Sequence, residues 1–325
     1  MEKAGARDWL RQQAARLRPH SAGEPAPPAP RVAVVTDSAA ALPPEWVREH
    51  AAGGLLTVVP MPVIIGGDVF ADDDAGLESQ MSLALASGTE VRTSRPSPGQ
   101  FGRAYRDAAG SGFDAVVSLH ISAKLSGTVD SATLAAAGAR IPVHVLDTAT
   151  VGMAQGSAVQ AAVLAAEAGA PAAEVIQAGR DAAARASVYF YVPSLEQLRR
   201  GGRISLASSW VGTVLDIKPL LGIADGAVVP LEKVRTAAKA VARLERLAAA
   251  DVAARPPGRA RVNVHHFGNA GQALALGEAL QADCPGLDAA GLTRLPAVLA
   301  AHAGLGVLVV VVSDAVLPPQ GMPGA

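Results

Sequence analysis

The sequence predicts an α/β protein of two domains, each with a mostly parallel sheet flanked by helices. From Arg31 onward, short apolar runs alternate with alanine-rich segments of helical length. Several of these runs end in a polar turn, which is typical of buried strands. After about residue 185 a second set of strands and helices begins. Because alternating strands and helices pack as sheets covered by helices, these observations indicate the α/β class.

The first predicted domain spans residues 31–185, and its strands are read from apolar runs that stop at turn residues. Pro60 and Pro62 lie within one of these runs, which favours an edge or irregular strand there. The predicted strands are Val32–Val35, Leu56–Ile65, Ala115–Ile121 and Val143–Leu146, and helices are predicted near 129–139 and 154–168.

The second predicted domain spans residues 186–316. Ala224-Asp225-Gly226 lies between two apolar runs and indicates a hairpin. Its predicted strands are Val188–Val192, Ile217–Ile223, Ala227–Val234, Val262–His266 and Val307–Val312, and helices are predicted at Leu195–Leu198, Thr236–Ala254 and 270–282. Residues 1–30 are predicted to form a flexible extension rich in Pro and Ala, and residues 317–325 a tail.

Composition excludes several classes of protein. Half of the 325 residues are hydrophobic and 18% are charged, which excludes global disorder. The net charge of -1 argues against nucleic-acid binding. A lone Cys284 excludes an intrachain disulfide and a cysteine-built zinc site. The run from Gly304 through Val312 is too short to span a bilayer, so we do not expect an integral membrane protein. No secretion signal is indicated, so we expect a cytoplasmic protein.

Four predicted strand-end loops carry hydroxyl or capping residues. In α/β sheets such loops bind ligands, and hydroxyls with free N–H groups at helix starts suit an anion. Simple helix capping explains any one of these loops better, whereas the four together favour a shared anion site. The loops are Thr36-Asp37-Ser38, Thr93 to Ser97, Ser122 to Thr128 and Asp147-Thr148.

Other polar residues carry weaker signals. Ser126 lacks the preceding glycine of a hydrolase nucleophile elbow, since Lys124 stands there. Arg203 follows a glycine pair that lets the backbone approach another group closely, although a charged helix end is often only solvated. The adjacent His265 and His266 point to opposite faces of a strand, which argues against zinc. Asp72-Asp73-Asp74 fits a solvated turn better than a Mg²⁺ site, so no metal is expected.

Seven motifs, in order along residues 31–314, resemble those of the DegV family. They are VVTDSAA with Leu42-Pro43, Val59 to Val63, Thr93 to Pro98, Ser122 to Thr128, Leu195 to Ser205 (LEQLRRGGRIS), Ile217-Lys218-Pro219 and Lys233 to Thr236. The resemblance implies a two-domain protein that binds a long-chain fatty acid between or within its domains. The protein that this resemblance implies is similar to the fatty-acid-binding subunit of bacterial fatty acid kinase. In that system a separate ATP-dependent kinase phosphorylates the bound acid, giving acyl phosphate for phospholipid synthesis.

The resemblance also implies roles for individual residues. The family holds the carboxylate with hydroxyls that fall here on Thr93 or Ser94 and on Ser126. An arginine and a histidine implicated in kinase docking or phosphoryl transfer fall on Arg203 and on His266, beside His265. Together with the loops, this predicts ligand contacts by Asp37, Ser38, Thr93, Ser94, Ser126, Gly127, Thr128 and His266.

The chain departs from the family pattern at two places. Arg95 stands where the family commonly has Gln. The family's His followed by Gly-Pro-Gly reads here as His302-Ala303-Gly304-Leu305-Gly306, which weakens the assignment of a role to His302.

Three functions are consistent with these observations. The first is a non-enzymatic carrier whose fatty acid is phosphorylated by a partner kinase, with no cofactor of its own, since no nucleotide-binding motif is present. The second is a lipid-binding sensor or transport protein without a kinase. The third is an acyl hydrolase or transferase that uses Ser126 and His266.

Overall fold

The computed structural model describes residues 30–72, 74–204 and 217–315. The predicted extension up to residue 29, the tail, Asp73 and Ser205 lie outside these ranges. Within them the strands are β1 (Val32–Asp37), β2 (Leu56–Val59), β3 (Pro62–Ile65), β4 (Asp68–Ala71), β5 (Val91–Thr93), β6 (Ala115–His120), β7 (Val143–Asp147), β8 (Ser187–Tyr191), β9 (Lys218–Ala224), β10 (Ala227–Val234), β11 (Ala260–His266), β12 (Gly291–Arg294) and β13 (Leu308–Asp314).

Ten α-helices lie in the same ranges. They are α1 (Pro44–His50), α2 (Leu77–Ser87), α3 (Pro98–Gly110), α4 (Thr128–Ala136), α5 (Met153–Glu167), α6 (Ala172–Ala184), α7 (Glu196–Arg200), α8 (Ala237–Ala253), α9 (Ala270–Asp283) and α10 (Ala297–Ala303). Several begin at clear sequence signals. Helix α3 starts with a capping box between Ser97 and Gln100, and Thr236 caps α8 by accepting from the Lys239 N–H.

The first half of the chain forms a four-stranded parallel sheet in the order β2-β1-β6-β7. Every residue of β1 and β6 is buried. Side chains of α3, such as Phe101 and Tyr105, pack on one face, and side chains of α5 and α6, such as Val159 and Val175, pack on the other. The predicted α/β class and the helix-flanked parallel sheet are confirmed.

A second, three-stranded antiparallel sheet in the order β4-β3-β5 has no counterpart in the sequence prediction. The single strand predicted over Leu56–Ile65 is divided at Pro60-Met61 into β2 and β3, which belong to different sheets. Proline lacks the N–H that a continuous ladder requires, so the chain changes direction there. Strand β5, which ends at Thr93, pairs antiparallel with β3 in this second sheet.

The second half forms a six-stranded sheet in the order β10-β9-β8-β13-β11-β12. Here the expectation of a mostly parallel sheet differs from the structure, because β11 and β12 are the one parallel pair among these six strands. The hairpin at Asp225 and Gly226, both with positive φ, forces β9 and β10 antiparallel. Strand β13 returns antiparallel to both of its neighbours, a direction that an alternating strand and helix pattern does not specify.

The two halves are joined by hydrogen bonds between buried groups. The Ser122 hydroxyl donates to the Gly226 carbonyl oxygen at 2.7 Å, and the Ser157 hydroxyl donates to Ser313 Oγ at 3.1 Å. The domain boundary near residue 185 stays a prediction. These contacts place the strand-end loops of the parallel sheet against the face of the six-stranded sheet.

A fully buried polar chain ties β1 to β6. Asp37 Oδ2 lies 2.9 Å from His120 Nδ1, and His120 Nε2 lies 2.7 Å from Ser118 Oγ, which is 2.9 Å from the Tyr105 hydroxyl. Asp37 also accepts from the backbone N–H groups of Ala39 and Ile121. The Ser118–His120–Asp37 spacing resembles that of a hydrolase triad, but all three side chains have no exposed surface. The chain therefore serves to hold the strand ends together.

Candidate functional site

A cavity of about 360 Å³ lies between α10, the strand-end loops of the parallel sheet and the inner face of the six-stranded sheet. This volume is within the range of small-molecule sites. The face of the six-stranded sheet that lines it, termed the sheet floor, consists of Val188, Phe190, Ile223, Val228, His265 and Val309. Five of these six side chains are apolar, so the cavity suits an aliphatic ligand.

One side of the cavity carries a group of polar side chains, termed the polar end: Thr93, Ser126, Arg203 and His302. Thr93 Oγ1 and His302 Nε2 are 2.8 Å apart, which joins the end of β5 to α10. Ser126 Oγ lies 2.8 Å from the Thr128 hydroxyl at the start of α4. The backbone N–H groups at this helix start add a partial positive charge beside Ser126. The polar end therefore offers hydroxyl and N–H donors to an anion.

Arg203 closes the polar end from the side of α7. Its Nε donates to the Leu125 carbonyl oxygen at 3.1 Å, and its Nη1 donates to the Gly201 carbonyl oxygen. A Cβ on Gly201 would overlap the His302 imidazole, so the glycine allows the ring to lie against the backbone. The glycine that the sequence associates with close approach thus positions both Arg203 and His302.

Arg95 adds a second guanidinium at this place. It is exposed, lines the cavity, and lies so close to Gly127 that a side chain on that glycine would overlap it. In the described part of the chain no carboxylate forms an ion pair with Arg95 or Arg203. Among the described residues, Arg95 and Arg203 therefore give the polar end a positive charge that suits an anionic head group.

His265 is the one titratable side chain of the sheet floor. Its Nε2 accepts the Met153 N–H at 3.1 Å, so the proton resides on Nδ1, which lies 2.6 Å from Thr293 Oγ1. Burial lowers the pKa of His265 to about 4, assisted by the adjacent His266. Both ring nitrogens are thus occupied by protein groups, and the imidazole is neutral at physiological pH.

His302 is held neutral in a similar way. Burial, together with the Arg203 charge, lowers the pKa of His302 to about 4. A neutral imidazole can hydrogen-bond to Thr93 in either direction, depending on its tautomer. The polar end therefore combines a neutral histidine with two arginines.

The structure brings together some of the predicted ligand residues and not others. Thr93, Ser94, Ser126, Gly127 and Arg203 line the cavity, and the buried Thr128 hydroxyl supports Ser126. The remaining three predicted contacts, Asp37, Ser38 and His266, are absent from the cavity lining.

Two of these residues have hydrogen-bond partners elsewhere, whereas the buried Nδ1 of His266 has none among the described residues. Asp37 belongs to the buried polar chain, and Ser38 Oγ accepts from the Met61 N–H at 3.1 Å. Burial is the main cause that lowers the pKa of His266. The Arg294 charge also lowers this pKa, and the Glu78 charge raises it. Ser126 and His266 are therefore not placed as a nucleophile and base, since the hydroxyl's described partner is Thr128.

Sequence reasoning undervalued His302. Its signal was a histidine next to a glycine turn, and the altered Gly-Pro-Gly pattern obscured it. Only the packing of α10 against α7 and β5 shows that this ring reaches Thr93.

The described residues form neither a metal site nor a membrane-spanning helix. No group of three or more His, Cys, Asp or Glu side chains there is arranged to hold a metal ion. Asp72 instead accepts from the Val298 N–H at the start of α10. No helix in these ranges is long and apolar enough to cross a membrane.

The two depressed pKa values predict acid sensitivity. In the unfolded chain both histidines bind protons as the pH falls below about 6.5, whereas the folded protein resists protonation until about pH 4. The stability present above pH 6.5 is therefore lost between these values, by about 2 kcal/mol per histidine at pH 5. Urea unfolding at pH 7.5, 6 and 5 measures this loss. His302→Gln should reduce its pH dependence, and equal stability of the wild type at pH 7.5 and 5 would contradict the assignment.

Comparison with known proteins gives a consistent result. The sequence model of the DegV family, described as uncharacterised proteins, matches residues 31–315. A DegV domain-containing protein of Streptomyces coelicolor is 43% identical over 283 residues, covering 87% of this chain and 98% of that protein.

Solved structures agree in fold. A DegV family protein from Thermus thermophilus, described as binding fatty acid, superposes with a TM-score of 0.80 at 32% identity, covering 88% of this chain and 100% of that one. Bacillus subtilis DegV, described as a fatty acid binding protein, has a TM-score of 0.77 at 28% identity, covering 88% of this chain and 99% of that one.

Proposed function

Because the chain belongs to the DegV family, we propose that it binds a long-chain fatty acid in the cavity, with the carboxylate at the polar end. The observation that carries this proposal is the arrangement of one apolar cavity with hydroxyl, imidazole and guanidinium groups gathered at one side. A molecule with a long aliphatic tail and a single anionic head matches that arrangement. The fatty acid binding described for the Thermus and Bacillus proteins supports it.

Burial of the tail provides the affinity. Each buried methylene contributes about 0.8 kcal/mol, so about fifteen give roughly 12 kcal/mol before the entropy of binding is subtracted. Val188, Phe190 and Val309 supply part of the apolar surface. The free energy gained by burying the tail is therefore large enough for tight binding.

The carboxylate is held by neutral donors as well as charge. If His302 Nε2 donates to Thr93 Oγ1, the Thr93 hydroxyl proton is free to donate to the ligand. Ser126 can donate in the same direction while it accepts from Thr128. Hydrogen bonds to an ionised acceptor are about twice as strong as neutral ones, so this pair of hydroxyls fixes the head group.

The proposal extends to a partner kinase. A carboxylate oxygen presented at an open polar end can attack the γ-phosphorus of ATP held by a separate protein. The bond from that phosphorus to the β–γ bridging oxygen breaks, ADP leaves, and acyl phosphate for lipid synthesis is formed. Arg203 and Arg95 would then stabilise the charge that develops on the phosphoryl group. In this scheme the chain is the lipid-carrying subunit and holds no cofactor of its own.

Native mass spectrometry of freshly purified protein tests the binding step. We expect one fatty acid per chain, released on denaturation and identified by its mass. Protein without lipid that also fails to bind added palmitate or oleate would overturn the proposal.

Arg203→Ala tests the kinase step. We expect acyl phosphate formation with a cognate fatty acid kinase and ATP to fall by roughly a hundredfold to a thousandfold, because one donor that stabilises the developing charge is lost. Fatty acid affinity should change far less, because the Thr93 and Ser126 hydroxyls are proposed to hold the carboxylate and Arg95 keeps a positive charge at the polar end. Arg199→Ala, an exposed arginine of the same motif, is the matched control. Phosphorylation that is equally fast with both variants would exclude this role, and its absence with wild-type protein would favour the sensor or transport function.

A further inference from the structure

We infer that His265 and Leu295 form the end wall of the fatty acid site and set the longest acyl chain that it accepts. The inference rests on the proposed function and goes beyond it by assigning the chain-length limit to named residues.

The course of α10 places these residues away from the polar end. The helix follows β12 directly, and the Leu295 N–H donates to the His266 carbonyl oxygen at 2.8 Å, so its start lies at the β11–β12 edge of the sheet. Its last turn carries His302 to Thr93 and to the backbone of Gly201. From Ala297, where the helix begins, to His302 a helical rise of 1.5 Å per residue gives about 7.5 Å, and Leu295 lies two residues before that start. The helix thus spans the cavity from its apolar end to its polar end.

The register of the strands on the opposite wall of the cavity also places His265 away from the polar end. Phe190 pairs with Val309, Val309 with His265, and His265 with Thr293. Strands are about 4.8 Å apart, so His265 lies roughly 10 Å from Phe190 across the sheet floor. An acyl chain that enters at the polar end and runs along this row meets the imidazole last.

The His265 ring is a rigid barrier. Its two nitrogens are hydrogen-bonded to Met153 and Thr293. A Cβ on Gly152 would lie 3.3 Å from Nε2, so the ring is also packed against the start of α5. The ring cannot turn aside for a longer chain without breaking these contacts, and it presents no free hydrogen-bonding atom to the ligand.

The test is competition among saturated fatty acids of increasing length, read by native mass spectrometry. His265→Ala removes the ring, so chains longer than the wild-type optimum should gain about fourfold in relative affinity for each additional buried methylene. Leu295→Phe should shift the preference to shorter chains. Ile223→Ala enlarges the cavity beside the hairpin and so tests the alternative end of the site, and Leu292→Ala, an exposed leucine of β12 outside the cavity lining, is the matched control.

The possible outcomes separate this inference from the proposed function. A wild-type protein that binds no fatty acid overturns both. If wild type binds with a defined length preference that Leu295→Phe and His265→Ala leave unchanged, the end wall is overturned and the binding function stands. A shift produced by Ile223→Ala alone would place the chain end at the hairpin and also overturn the inference. If His265→Ala fails to fold, Leu295→Phe decides.

Discussion

Thr93→Val combined with Ser126→Ala is expected to weaken fatty acid binding by on the order of a hundredfold or more. Each hydroxyl proposed to donate to the carboxylate contributes about 1.5 to 3 kcal/mol, as hydrogen bonds to charged groups do. Both side chains line the cavity at its polar end. Displacement of a fluorescent fatty acid, or titration calorimetry with palmitate, measures the change in Kd.

The control for this pair is Thr89→Val, which removes an exposed hydroxyl two residues before β5. That variant should bind as the wild type does. Thermal unfolding of the double variant shows whether the fold is retained. Valine replaces the Thr93 hydroxyl with a methyl group of similar size, and alanine removes only the Ser126 hydroxyl. A folded double variant with wild-type affinity would show that the carboxylate is held elsewhere.

Asp37→Ala is expected to lower the free energy of unfolding by about 3 to 5 kcal/mol, the range found when one partner of a buried polar pair is removed. The carboxylate is fully buried, and it accepts hydrogen bonds from the backbone at Ala39 and Ile121 and from the Gln155 amide. It also partners His120. The substitution leaves these donors unpaired between β1 and β6. Urea unfolding at pH 7 measures the loss.

Tyr105→Phe serves as the matched comparison, because it shortens the same polar chain at its other end. It should cost only about 1 kcal/mol, the usual contribution of one neutral hydrogen bond. Burial raises the pKa of Tyr105 to about 12, so its hydroxyl is un-ionised and its loss removes no charge. If both variants lose the same free energy of unfolding, the Asp37 carboxylate contributes no more than one neutral hydrogen bond of the buried polar chain.

The parallel sheet was the most predictable part of the fold. Strands β1 and β6 are buried on both faces, and such strands appear in the sequence as continuous apolar runs ended by polar turns. Strand β13 was recognisable for the same reason. By contrast, β4 and β12 carry exposed residues and short, mixed sequences, so they have no pattern that separates them from loops.

The candidate site was predictable in part. Thr93 and Ser126 belong to short motifs near secondary-structure ends, where local sequence determines which groups are free to bind. The sequence did not show which of the histidines lies at the cavity. His265 and His266 are adjacent, and strand periodicity says only that they point to opposite faces, not which face is the cavity. His302 lies 209 residues from the Thr93 that it contacts.

The sequence by itself therefore determined the α/β class, the loops that carry hydroxyls and the family resemblance, because these depend on periodicity and short-range motifs. Only the tertiary structure decided that the second sheet is mainly antiparallel, that His265 rather than His266 lines the cavity, and that His302 completes the polar end. The hairpin between β9 and β10 has a local signature, but the direction of β13 and the contact of His302 with Thr93 depend on residues far apart in the chain, which no short motif specifies.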